Sequence, residues 1–151
     1  MIATRDLRRA MHEIAARKGD FTLFALFMRA GAPFMRAESP GTWDLVVSGP
    51  WLEGSRLKAV REVVELLAKS IGRQAVQRFS RIDVIDGDDP LVRFILRSIP
   101  VEDGALRIES TDLMGFQIER AIIFRAWKPD VKKSASRELH PATAGSSRGR
   151  G

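Results

Sequence analysis

Cysteine is missing from this sequence altogether. That excludes disulfides, thiolate nucleophiles and zinc or iron–sulfur centres built on sulfur. Histidine occurs only as His12 and His140, so one chain cannot assemble a multi-histidine metal site. Tyrosine and asparagine are absent too, and arginine outnumbers lysine 19 to 6. Codons for Asn, Tyr and Lys are AT-rich, whereas those for Arg, Ala and Gly are mostly GC-rich. The bias is that of a GC-rich bacterial genome, and arginine abundance alone is no evidence for nucleic-acid binding. No apolar run approaches the roughly 18 residues that cross a bilayer. The opening MIATRDLRRAMHEIAARKG mixes arginines with Asp6 and Glu13 and has no apolar core, so it predicts neither a secretory signal nor a mitochondrial presequence. The expectation is a cytoplasmic protein that does not contact membranes. The G-x-S-x-G, P-loop and G-x-G-x-x-G patterns of common hydrolases and nucleotide binders are also absent.

What is present suits one compact core: 151 residues, 44% apolar and 29% charged. The net charge of +6 is unevenly spread. Residues 128–151 hold Lys128, Lys132, Lys133, Arg137, Arg148 and Arg150 against Asp130 and Glu138, and so carry +4 of it. The body, residues 1–127, is nearly balanced and shows no basic stripe of the kind a dedicated nucleic-acid surface has.

Thr4 to Lys18 has helical spacing, with Leu7, Met11, Ile14 and Ala15 on one stripe, Thr4 as N-cap and Gly19 just past the end. Asp20 to Arg29 alternates as a strand that is apolar on both faces and therefore needs cover on both sides. Thr42 to Ser48 is the next strand and pairs with it as a hairpin. Leu57, Val60, Val64, Leu67 and Ile71 mark a long helix that stops at Gly72. Arg78 to Asp86 reads as a strand. Asp89 then caps a short helix beginning at Pro90. Ala105 to Ser110 and Gly115 to Trp127 close the fold as two strands, the last with Phe116, Ile118, Ile122 and Phe124 on one face and Arg120 interrupting it.

The expected fold is α+β in the order α-β-β-α-β-α-β-β. A mainly antiparallel sheet of about five strands packs with two long helices and one short one. Residues 1–127 form the domain. Residues 128–151, rich in Ser, Gly, Pro and charge, are expected to be a disordered basic tail.

Four constellations are candidates for chemistry or binding. Asp83, Asp86, Asp88 and Asp89 crowd a strand end and turn, where carboxylates hold Mg²⁺ for phosphodiester hydrolysis if Asp44 or Glu119 completes the set. The competing reading is a solvated turn with Asp89 as a cap. His12, beside Glu13, acts as a general base only if a carboxylate orients it. Arg120 in an apolar face needs a carboxylate, an anionic ligand or a route to solvent. Trp51, in the loop SGPWLEG, is either an interface anchor or a packed boundary residue.

The leading functional expectation is a non-catalytic interaction or accessory protein without cofactor, working through a protein partner or as a homodimer. The short helix cannot cover the second sheet face by itself, and a second subunit would complete it. The alternatives are a Mg²⁺-dependent phosphodiesterase or nuclease using the aspartate cluster, and a nucleic-acid-binding regulator using residues 128–151.

One segment looks more deliberate than the rest. FMRAGAP is followed at once by FMRAESP, residues 27–40, with five of seven positions identical. Removing one copy leaves LFALFMRAESPGTWDLVV, still a complete hairpin with a Pro–Gly turn. Doubling a loop costs only about 0.6 kcal/mol in closure entropy. The copy therefore reads as a neutral in-frame duplication in a hairpin loop, the alternative being a two-armed Phe–Met contact patch. Deleting Phe34 to Pro40 is expected to leave the melting temperature equal or slightly higher. A large fall would show that Phe34 and Met35 are packed.

Overall fold

A computed structural model describes residues 3–29 and 43–129. Most of the duplicated segment, residues 30–40, and the tail from residue 130, including His140, lie outside the described residues. The elements are α1 (Thr4–Lys18), β1 (Leu23–Arg29), β2 (Asp44–Ser48), a 3₁₀ turn (Pro50–Leu52), α2 (Arg56–Ile71), α3 (Arg73–Val76), β3 (Arg81–Val84), α4 (Pro90–Ser98), β4 (Leu106–Leu113) and β5 (Phe116–Ala126). No helix among them is long and apolar enough to cross a membrane.

The five strands form one mixed sheet in the order β3-β2-β1-β5-β4. Three neighbouring pairs are antiparallel, β1 with β2, β1 with β5 and β4 with β5. The pair β2–β3 is parallel. It has to be, because α2 and α3 carry the chain back to the starting edge between those strands.

β1 lies at the centre. Phe24, Leu26 and Met28 enter one apolar cluster, while Leu23, Ala25 and Phe27 enter the other. All six are buried, which meets the expectation of a strand covered on both sides. Over the first face lie α1, through Leu7, Ala10, Met11 and Ile14, and α2, through Ala59, Val63 and Leu67. Phe21, Phe24 and Phe124 anchor this layer with edge-to-face contacts at 5.0 and 5.8 Å. Pairs of this kind add about 0.5–1.5 kcal/mol each beyond the area they bury. Over the second face lies α4, through Val92 and Ile95.

Several local expectations are corrected. The first strand begins at Leu23, not Asp20, and Phe21 before it packs with the first cluster. Ala3, not Thr4, is the N-cap of α1, and the Thr4 hydroxyl accepts from Arg107 at 3.1 Å. The buried stripe of α2 is Ala59–Val63–Leu67. Leu57, expected on that stripe, is instead 61% exposed. Asp89 does cap α4, its carboxylate accepting from the Leu91 N–H at 2.9 Å.

β5 departs most from simple alternation. Its register with β1 slips twice, between Phe24 and Ala25 and between Met28 and Arg29. The extra residues re-aim the strand. Ile118, Ala121 and Ile123 serve the second cluster, whereas Ile122 and Phe124 serve the first. Arg120 therefore does not interrupt an apolar face. It lies beside the slip, exposed, with Glu109 of β4 directly across the ladder. β4 and β5 join through a tight turn at Met114 and Gly115, both with positive φ. Glycine suits the second position, and the Asp112 carboxylate accepts from the Gly115 N–H at 2.7 Å.

Candidate functional site

The four aspartates do not converge on a metal. β3 aims Asp83 at the second face, where Arg81 on the same strand reaches its carboxylate at 3.2 Å. Asp86 gives its backbone carbonyl to the Asp89 N–H, closing the turn, and Asp89 is engaged at the helix N-terminus. The Asp86 and Asp88 side chains point to solvent. Asp44, itself buried, lines a cleft of about 580 Å³ with Asp83, Asp89, Phe27, Val46 and Ile118. Glu119 is two strands away on β5, beyond β1. Among the described residues no three His, Asp or Glu side chains are placed to share an ion.

Trp51 is packed more than presented. Its ring meets Phe21 edge-to-face at 5.5 Å. Glycines make the room: a Cβ on Gly19 would approach the indole to 3.2 Å, and one on Gly49 would come within 3.3 Å of its nitrogen and 3.0 Å of the Asp20 carbonyl. The loop SGPWLEG thus seats a boundary residue of the first cluster.

His12 acquires the partner that its surroundings in sequence do not offer. Arg8 and His12 are one turn apart on the outer face of α1, and both reach Asp103 in the connection from α4 to β4. The Arg8 guanidinium donates to both carboxylate oxygens at 3.1 Å, and His12 Nε2 lies 2.9 Å from Oδ1. Backbone hydrogen bonds fix that connection: Val101 and Ala126 exchange two, and the Gly104 N–H donates to Phe124. Arg8 holds the Asp103 carboxyl down to about 2, with His12 adding to the effect and partial burial opposing it.

A cleft of about 500 Å³ opens beside this pair, lined by Met11, Ala15, Asp20, Phe21, Glu102 and Arg125 together with His12 and Asp103. Arg125 spans its base. Its guanidinium donates to the Phe21 carbonyl at 2.6 Å and the Glu102 carbonyl at 3.0 Å, and lies 3.8 Å from Asp20. The His–Asp geometry is that of an oriented base, but among the described residues no Ser, Thr or Lys lines the cleft to serve as its nucleophile. What the groups visibly do is tie α1 and the start of β1 to the α4–β4 connection. The sequence marks Asp103–Gly104 only as a turn; 91 residues separate Asp103 from His12, and nothing local pairs them.

A carboxyl held below its ordinary value contributes stability above its unfolded pKa and loses it as pH falls toward the folded one. The Asp103 side chain is 39% exposed, so solvent screens most of this. Asp103→Asn is therefore expected to lower the melting temperature at pH 7 by about 2–4 °C. That gap should close between about pH 4 and about pH 2 in parallel melts. Equal melting temperatures at pH 7 would remove the tether from the account.

Compared with family models, with curated proteins and with solved structures, the chain gives no match.

Proposed function

We propose that the protein acts by contact, without covalent chemistry, and that its partner is a second copy of itself joined edge to edge through β4. The open edge of β4 carries this reading. The strand has eight residues, LRIESTDL, with neither proline nor glycine, and among the described residues β5 pairs with one side of it and no strand with the other. Proteins ordinarily blunt such an edge by shortening it, bending it, or placing proline or charge on it; the charges flanking Ile108 on β4, Arg107 and Glu109, are of opposite sign and two residues apart. The opposite edge, β3, is blunted by shortening, with four residues ending in the Asp-Gly turn.

The edge is also self-complementary in charge. Antiparallel pairing about Ile108 sets Arg107 of each copy opposite Glu109 of the other, giving two opposite-charge pairs related by the twofold axis. Leu106, 43% exposed, gains cover at the ends of the paired stretch. Arg107 contributes one guanidinium nitrogen to Thr4, leaving others for the partner's carboxylate.

Light scattering on a size-exclusion column at micromolar concentration is expected to give the mass of two chains. Glu109→Arg and Arg107→Glu should each give one, because like charges then face each other, while the double swap R107E/E109R restores the dimer. A monomeric parent protein, or a dimer untouched by either single change, contradicts the proposal.

A further inference from the structure

A second surface, on α4 and the end of β5, has a different chemistry. Arg93 and Arg97 are four residues apart on α4 and so lie on one side of it, one turn apart. Val92 and Ile95 turn toward the sheet, which leaves both arginines facing outward and exposed. Across a groove of about 570 Å³ stand Trp127 and Lys128, with Leu96 and Pro100 between them. Trp127 is 42% exposed, in contrast to buried Trp43 and packed Trp51. Its backbone is held in place: the Trp127 N–H donates to the Thr22 carbonyl at 3.0 Å, and the preceding Ala126 is locked to Val101.

The charges in this groove are uncompensated. Among the described residues, no carboxylate lines it. Arg93, Arg97 and Lys128 enter no ion pair among those residues, as is true of other exposed cations such as Lys58 and Arg61; what sets these three apart is that they line one groove together with Trp127. The near-balanced charge of the body hides this, since Arg93 and Arg97 converge with Lys128 only when α4 packs beside the end of β5.

We infer that this groove binds single-stranded nucleic acid, with a base stacked on the Trp127 indole and backbone phosphates on Arg93, Arg97 and Lys128. An open groove with an exposed indole and flanking cations matches what a single strand offers, an unpaired π-face and a line of phosphates. A duplex keeps its bases stacked inside and has no face to give the indole. The inference is independent of self-association through β4, which uses other residues.

The test uses the full chain and fluorescein-labelled oligouridylate and oligothymidylate, followed by anisotropy over a range of salt and by tryptophan emission. Both strands should bind, with affinity falling steeply as salt rises and with quenching of tryptophan. Tighter binding of one strand assigns RNA or DNA as the preferred ligand within the proposal. Trp127→Ala is expected to weaken binding about tenfold and abolish the quenching. Arg93→Gln with Arg97→Gln should lower the slope of log affinity against log salt by about 1.4. All the substituted side chains are at the surface, so the melting temperature serves as the control for folding. Three results overturn the inference: no binding at low salt, parental affinity and quenching in the groove variants, or tighter binding to phosphatidylserine vesicles than to either oligonucleotide.

Discussion

The fold depends on β1, a strand buried on both faces. Burying one large apolar side chain contributes about 1.5–3 kcal/mol. β1 supplies Leu23, Phe24, Leu26, Phe27 and Met28 within six positions, with Ala25 as the small residue between them. Such a strand cannot lie at an edge or beneath a single layer. It requires a neighbour on each side, which β2 and β5 provide, and a cover on each face. The first cover is generous, two helices of 15 and 16 residues, and the second is one helix of nine. That inequality shapes the rest of the molecule. The slip of β5 between Met28 and Arg29 puts Ile118 on the thinly covered side, beside Ala121 and Ile123. α4 has its apolar residues turned inward, which leaves Arg93 and Arg97 on the surface.

The sequence displays the parts of this scheme that are local. Two-sided alternation in Leu23–Met28 identifies the central strand, and the Asp89–Pro90 pair identifies the start of α4 to the residue. Both signals are short-range physics, a period of two and a cap. The parallel pairing of β2 with β3 is not visible at that range, because it follows from where α2 carries the chain. The buried side of α2 is displaced from Leu57 to Ala59 for a similar reason. The three–four spacing fits more than one rotation, and tertiary packing selects the one that buries Ala59, Val63 and Leu67.

The slips in β5 explain the misreading of Arg120. Strict alternation puts it among Ile118 and Ile122, a placement that would demand a buried partner. An inserted residue changes the side on which each neighbour emerges, and no residue type announces such an insertion. The His12–Asp103 contact and the groove around Trp127 were hidden in another way. Each joins groups that are far apart along the chain and individually unremarkable: a helical histidine with a turn aspartate, and two arginines of α4 with the end of β5. The aspartate cluster shows the reverse, conspicuous in sequence yet dispersed in space into a strand ion pair, a turn and a helix cap.

Amide hydrogen exchange tests most directly whether β1 is the element on which the others depend. If it is, the backbone N–H groups of Leu23–Phe27 and their partners in β5 exchange only by global unfolding, and more slowly than those of α4 and β4. Amides of α2 or β4 that outlast those of β1 would contradict the account and move the stable centre of the protein elsewhere.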